Sequence, residues 1–209
     1  MAKFRTFVGS SAQTGAMSTD AFDMAIVHRV FRNELHNAPG LVRGVKAGDT
    51  KRSAIVGRHL NFIMSGLHHH HAAEDELIWP KLHARAPNHA AEITRMEDEH
   101  RGIAEGVASV QDIVASWVAS AEPGLAKQLI SAIEDLSTVV DDHLADEEVT
   151  IVPLINEHIT PVEWPRGGRA SSGVLIEEEF EARAGPRRLR LRRFVSRRGA
   201  TVNEKRAVA

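Results

Sequence analysis

Residues 68–76 read HHHHAAEDE, so four imidazoles and three carboxylates fall within about three helical turns. On a helix that advances about 100° per residue, His70 and Glu74 share one face with the apolar residues Ile63 and Leu67. An unpartnered charge on a buried face is costly, so a His and a Glu placed there favour a cation between them. A bound metal ion is the leading candidate for that cation.

The histidines of this run do not all face the same way. His71 lies about 100° from His70, at the edge of the apolar face, and is a further candidate ligand. His68 and His69 point away from that face, and we expect them to be solvated. The chain has no cysteine and no tyrosine, which excludes thiolate and phenolate ligands. A transition-metal site must then use imidazole and carboxylate, which suits iron, manganese or zinc.

The other predicted helices also carry histidines. The first has His28, the third has His100 in the sequence EDEH, and the fourth repeats the i, i+4 pair as His143 and Glu147. These residues lie early in odd helices and late in even ones, which is one level in an up-and-down arrangement. Seven candidates exceed the ligand set of one tetrahedral ion and suit two octahedral ions bridged by the two glutamates. The candidate ligands are His28, His70, His71, Glu74, His100, His143 and Glu147.

Long helices must position these side chains. Apolar residues at helical spacing predict a first helix from about Ala21, with a kink or short break at Pro39-Gly40. The second helix is predicted over about residues 51–84, with Pro80 disturbing its last turns.

A turn at residues 86–88 should precede a third helix that ends near Ser120. The fourth helix should begin at Pro123 and reach about His158, with Pro153 near its end. β-branched alternation at period two is almost absent before residue 160, so strands are not expected there. The predicted fold class is all-α, an antiparallel up-down-up-down four-helix bundle followed by an irregular Arg-rich tail.

Charge divides the chain into unequal parts. Residues 161–209 hold 11 Arg and one Lys against six Glu, a net charge of +6, whereas the rest has 14 basic and 22 acidic residues. We expect residues 1–18 to form a loose leader, residues 19–160 to form the bundle and residues 161–209 to form a solvated, poorly ordered tail. Contact between the basic tail and a nucleic acid or an anionic surface is the alternative.

Hydropathy argues against a membrane partner. No apolar run approaches the roughly 18 residues of a membrane span, and the N-terminal residues lack the apolar region of a signal peptide. We therefore expect a cytoplasmic protein. The oligomeric state is left open.

With these motifs the sequence resembles the hemerythrin-like (HHE cation-binding) proteins. The resemblance rests on His28 and on the segments HHAAEDELIWP, EDEH and HLADEE, and it covers about residues 20–160. It implies a non-haem centre of two iron ions, oxo- or hydroxo-bridged when ferric. It also implies an open position for O₂ or a related small ligand.

One position departs from the oxygen carriers of that family. They have a second histidine one turn before the third-helix ligand, where Met96 stands in this chain. His71 is the expected substitute, because the edge of the apolar face could reach the same ion as His100. Glu97, at i−3 from His100, is the alternative metal ligand and would make the centre more anionic.

A centre of this kind supports functions of different classes. The first is binding of O₂, nitric oxide or a related ligand in oxygen or redox sensing or protection. The second is a catalase-like enzyme that disproportionates hydrogen peroxide. A third, iron storage, would need a shell-forming oligomer, for which the sequence gives no argument. The His-rich ligand set favours the first, since carboxylate-rich sites are those that favour O₂ activation.

Overall fold

The computed structural model describes residues 21–164. The predicted leader, residues 1–18, and all of the predicted tail except residues 161–164 lie outside that range. The described part is helical and contains no strand, so the all-α prediction is confirmed. The elements are α1 Phe22–Arg43, α2 Thr50–Leu77, α3 Trp79–Arg85, a 3₁₀ turn Pro87–His89, α4 Ala90–Ser120, α5 Pro123–Thr150 and α6 Val152–His158.

Local sequence explains most helix ends. Asp49 accepts a hydrogen bond from the Arg52 N–H and so caps the start of α2. Pro123 is the first residue of α5, as predicted, where its missing N–H costs nothing. The break expected at Pro39 is absent, because α1 continues to Arg43. Pro39 lies in the penultimate turn, so it removes one internal hydrogen bond close to the end of the helix.

The second and fourth predicted helices are shorter than expected. α2 ends at Leu77 and α5 at Thr150, and after one intervening residue the short helices α3 and α6 begin. In both cases a proline, Pro80 or Pro153, is the second residue of the short helix. Proline cannot donate to the preceding turn and clashes with the carbonyl four residues before it, so the long helix stops there. Both prolines stand six residues after a glutamate of the predicted site.

The four long helices form a bundle around apolar side chains. α1 packs against α2 and α5, and α4 packs against the same two helices. A larger apolar cluster draws on all four long helices, and a smaller one draws on α3, α6 and the first turns of α1 and α4. The buried histidines and glutamates lie at the boundary between these clusters along each long helix. Apolar layers therefore enclose the polar level from both sides.

None of the helices between residues 21 and 164 combines the length and the hydropathy that crossing a bilayer would require.

Candidate metal centre

All seven side chains predicted as ligands from the sequence lie in the buried polar level. Each is at most 4% exposed, although glutamate is almost never fully buried unless it is paired. They come from the four long helices: His28 from α1, His70, His71 and Glu74 from α2, His100 from α4, and His143 and Glu147 from α5.

The potential donor atoms divide into two groups, each with its atoms within 4.8 Å of one another. The two-histidine cluster comprises His28, His70, Glu74 and Glu147. In it the Nε2 atoms of His28 and His70 are 3.0 Å apart. The three-histidine cluster comprises His71, His100 and His143.

Within the three-histidine cluster the rings lie close together. The Nε2 atoms of His100 and His143 are 3.1 Å apart. The His71 ring stacks on the His100 ring with centroids 4.2 Å apart. Three imidazoles from three helices thus converge on one point.

Both glutamates of the two-histidine cluster also approach the three-histidine cluster. Glu74 places Oε1 3.3 Å from His70 Nε2 and Oε2 3.7 Å from His100 Nε2. Glu147 Oε2 is 3.3 Å from His28 Nε2 and 4.0 Å from His143 Nε2. Each carboxylate could therefore serve both groups of imidazoles.

Several polar atoms at this level have no hydrogen-bond partner within the described residues. They are both carboxylate oxygens of Glu74 and of Glu147, Nδ1 of His70 and Nε2 of His71. Buried polar atoms without partners cost free energy, and native structures rarely leave several together. Oxygen and nitrogen donors aimed at a shared space are what a metal ion requires, so the residues present fit a bound cation.

Burial also sets the protonation of the ligands. It lowers the pKa of His28 to about 3, helped by the charge of Arg32, and it lowers the pKa values of His70, His71 and His143. These imidazoles are neutral at pH 7, as metal ligation requires.

The glutamates shift in the opposite direction. Burial raises the pKa of Glu147 to about 8, and nearby Glu148 adds to the effect. Burial and the Glu147 charge raise the pKa of Glu74 well above its ordinary value. Without a cation both side chains favour the protonated form, so a bound ion must displace protons.

A second set of carboxylates holds the far sides of three imidazoles. Nδ1 of His28 donates to Glu148 at 3.0 Å, that of His100 to Asp75 at 2.7 Å, and that of His143 to Glu99 at 2.9 Å. Such contacts fix the ring orientation and leave Nε2 free for a metal. We call Asp75, Glu99 and Glu148 the outer carboxylates. The sequence pattern did not predict them, although each is directly adjacent to a predicted ligand in the chain.

The outer carboxylates are themselves held in place. Arg32 donates to Glu148 at 2.8 Å, and Arg95 donates to Glu99 at 2.7 Å. The buried indole of Trp79 donates to Asp75 Oδ1 at 2.9 Å, the same oxygen that accepts from His100. The orientation of the imidazoles is thus fixed over two successive contacts.

His71 and Glu97, the two candidates to replace the histidine that is missing at Met96, lie in different places. His71 belongs to the three-histidine cluster, whereas Glu97 belongs to neither cluster and lies 3.3 Å from His83, with about a third of its side chain exposed. Met96 is buried in the smaller apolar cluster. His68 and His69 are exposed, as their helical angles predict.

A family model described as the hemerythrin HHE cation binding domain matches residues 23–155, which include every residue of both clusters. No curated protein and no solved structure matches the chain.

Proposed function

The chain belongs to the hemerythrin HHE cation-binding domain family, and from this premise we propose that it carries a non-haem di-iron centre. This centre binds O₂, nitric oxide or a related small ligand in oxygen or redox sensing or protection. The observation that carries the proposal is the pair of buried clusters with two glutamates between them.

Each cluster is assigned one iron. His28 and His70 would hold the first, His71, His100 and His143 would hold the second, and Glu74 and Glu147 would be shared between them. Counting both shared carboxylates, the protein would offer four donors to the first ion and five to the second. An octahedral ion takes about six, so an ion in the two-histidine cluster would have the more open coordination. We propose that the small ligand binds there.

When bound, two iron ions would supply an open coordination position and two one-electron oxidation steps. The chain supplies the surroundings. The two carboxylates compensate the cation charges, and the outer carboxylates hold the imidazole rings in the ligating orientation. Apolar side chains above and below the centre, such as Phe31 and Trp79, exclude water from it.

The order of the apolar clusters supports the proposed up-down-up-down topology. In α1 and α4 the residues of the smaller apolar cluster precede those of the larger one, whereas after α2 and α5 the smaller cluster follows, in α3 and α6. When neighbouring helices run in opposite directions, residues early in α1 and α4 lie at the same level as residues late in α2 and α5. The two-histidine and three-histidine clusters are assembled at this level.

Catalase-like peroxide disproportionation remains the second candidate. This enzyme function would be favoured if Glu97 were a metal ligand, because carboxylate-rich centres favour oxygen activation. The contact of Glu97 with His83 keeps that carboxylate out of both clusters. The ligand set is therefore rich in histidine, which favours ligand binding.

Metal analysis of the purified chain tests the proposal. We expect about two irons per chain, and absorption changes when the reduced protein meets O₂ or nitric oxide. One zinc and no iron would overturn the assignment. Rapid oxygen evolution on adding hydrogen peroxide, without any stable adduct, would favour the enzyme instead.

A further inference from the structure

A pocket with a volume of about 220 Å³ opens between α1 and α2, and none of the candidate metal ligands lines it. Its walls include Val30, Phe31 and Glu34 from α1, and His59, Phe62 and Gly66 from α2. Sites for drug-sized molecules are usually about 300–1,000 Å³. This pocket is therefore sized for a smaller organic molecule.

The space depends on a glycine. Gly66 has no side chain, and a Cβ placed there would lie 3.5 Å from Cε1 of Phe31. That distance is an ordinary van der Waals contact, so an alanine would fit and a longer side chain would extend into the pocket. Gly66 thus keeps open a volume that most residues would fill.

Apolar surface continues outward from the pocket along both helices. Val30 is 39% exposed, and Ile26, one turn earlier in α1, is 46% exposed. On α2, Ile55 is 49% exposed and stands one turn before His59. Exposed large apolar side chains grouped around a concavity are typical of a binding site rather than of an ordinary surface.

One wall is polar. Glu34 Oε2 lies 3.0 Å from His59 Nε2, and both side chains are about a third exposed. A carboxylate has two oxygens with several lone pairs, so Glu34 can accept a further hydrogen bond while it keeps its contact with His59. The pocket thus combines two aromatic rings with one strong acceptor.

From these features we propose that the α1/α2 pocket binds a small aromatic molecule with a hydrogen-bond donor, of the phenol or indole class. Its ring packs against Phe31 and Phe62, and its O–H or N–H donates to Glu34. Aromatic rings pack favourably against other aromatic rings in offset or edge-to-face contacts. A neutral O–H or N–H forms a stronger hydrogen bond with a carboxylate than with a neutral acceptor. This site is distinct from the proposed iron-binding site and does not depend on it.

A molecule bound in the pocket should affect the metal centre through Phe31. Phe31 lines the pocket, is 1% exposed, and has its ring centroid 5.5 Å from that of His70. A molecule that shifts the Phe31 ring would press on a predicted ligand of the two-histidine cluster. We expect a small shift of the visible absorption of the iron-loaded protein, without a new band.

Titration of the full chain with phenol tests the proposal, with toluene as a probe of similar shape that has no donor. Binding is measured by calorimetry or ligand-observed NMR on the protein as purified and after iron removal. We expect phenol to bind both forms with a dissociation constant on the order of a millimolar, and toluene to bind more weakly.

Gly66→Leu fills the pocket and should weaken phenol binding about tenfold or more. Gly102→Leu is the matched control. Gly102 lies on α4, no atom of the described residues is within 4 Å of its Cβ position, and the substitution gains the same helix propensity. Glu34→Gln should weaken phenol about fivefold and leave toluene unchanged. Should Gly66→Leu fold poorly, Val30→Gln makes the rim of the pocket polar at a half-exposed position and should weaken both probes.

Three results would overturn the proposal. The first is an absence of phenol binding; the pocket could then be a route for O₂ or nitric oxide, whose uptake Gly66→Leu would slow. The second is equal phenol affinity in Gly66→Leu and Gly102→Leu. The third is a new charge-transfer band on adding phenol, which would place the phenolate on iron. Because the iron-free protein is titrated as well, failure of the di-iron assignment would leave this test intact.

Discussion

The two clusters of the centre differ in composition, two histidines and two glutamates against three histidines, and their imidazoles are supported differently. In the three-histidine cluster, His100 and His143 each donate to an outer carboxylate. In the two-histidine cluster only His28 does so, and among residues 21–164 Nδ1 of His70 finds no hydrogen-bond partner. The first cluster thus has more imidazoles, and more of them are fixed from behind.

This difference suggests a division of labour. Second contacts to a ligating histidine raise its basicity and hold its orientation, which strengthens metal binding. The three-histidine cluster is therefore expected to hold its ion more firmly. The two-histidine cluster has fewer imidazoles, and its His70, next to Phe31, is less constrained, so this cluster is expected to be the one that exchanges ligands.

The largest effect should come from removing what the clusters share. Glu74→Ala and Glu147→Ala should each lose most of both ions, because a bridging carboxylate serves both and offsets their repulsion. His28→Ala removes a donor from one cluster only and should keep about one ion per chain. Elemental analysis of the three variants, with circular dichroism to check the helices, measures the difference.

Should His28→Ala prove the poorest metal binder of the three, the glutamates are not bridges. The two clusters would then be separate sites, and the comparison between them would have to be made without a shared component.

Removing His71 should strip the three-histidine cluster of one donor. We expect His71→Ala to lose roughly one of the two irons, or to bleach the absorption of the ferric centre. His69→Ala is the matched control, since His69 is an exposed neighbour whose Nδ1 bonds the Ser65 carbonyl. Glu97→Gln should also be silent. If Glu97→Gln abolishes the absorption while His71→Ala is silent, the carboxylate is the ligand and the peroxide enzyme gains ground.

The support of the three-histidine cluster can be weakened without touching a ligand. Asp75→Asn keeps the size of the side chain but replaces the charged acceptor of His100. Loss of such a contact typically lowers metal affinity about 10- to 100-fold, and here it should affect one ion of the two. Competition with a chelator measures it. Asp98→Asn, at an exposed residue of α4 that pairs with Arg101, should bind metal as the wild type does.

The smallest effect concerns pH. The raised pKa of Glu147, about 8, means that the iron-free fold holds a proton that the unfolded chain has lost. This contribution to the stability of the iron-free protein is full below the unfolded pKa near 4.5 and is lost as pH rises through about 8. Metal binding must displace that proton, so affinity should rise over the same interval, by roughly tenfold per pH unit for each displaced proton.

The measurable result is a difference between two melting temperatures. The gap between the iron-loaded and iron-free protein should widen from pH 6.5 to pH 8.5. The lowered pKa values of the buried histidines act mainly below their ordinary value of 6.5 and do not contribute in this interval. A gap that is constant or narrows would mean that the glutamates are already ionised without metal.

The sequence predicted the ligands better than their support. Helical angles placed His70 and Glu74 on a buried face and His71 at its edge, and all three are buried. Asp75, Glu99 and Glu148 were missed because an adjacent residue lies about 100° round the helix. Whether it faces solvent or a neighbouring helix depends on how the helices pack. Their signal was present in the acidic runs EDE, EDEH and DEE.

Helix ends were the other weakness. Pro80 and Pro153 were recognised as disturbances, but both helices were extended past them. The apolar periodicity continues across a one-residue break when the residue at the break is itself apolar and buried, as Ile78 and Ile151 are. At Pro39 a kink or a short break was expected, and α1 runs to Arg43 without a break, because the hydrogen bond that Pro39 removes lies near the end of the helix.

The outer carboxylates also reveal an internal twofold relationship in the chain. His28, His70, Glu74 and Pro80 of the first half correspond to His100, His143, Glu147 and Pro153 of the second, at nearly equal spacing. Asp75 of the first half holds His100 of the second, and Glu148 of the second holds His28 of the first.

Each half therefore supplies the carboxylate that orients the first histidine of the other half, His100 or His28. In this correspondence His71 pairs with Leu144, and Glu99 pairs with Val27. Both differences add a polar group to the three-histidine cluster. The difference between the two clusters thus comes from two positions at which a nearly symmetric sequence departs from its own repeat.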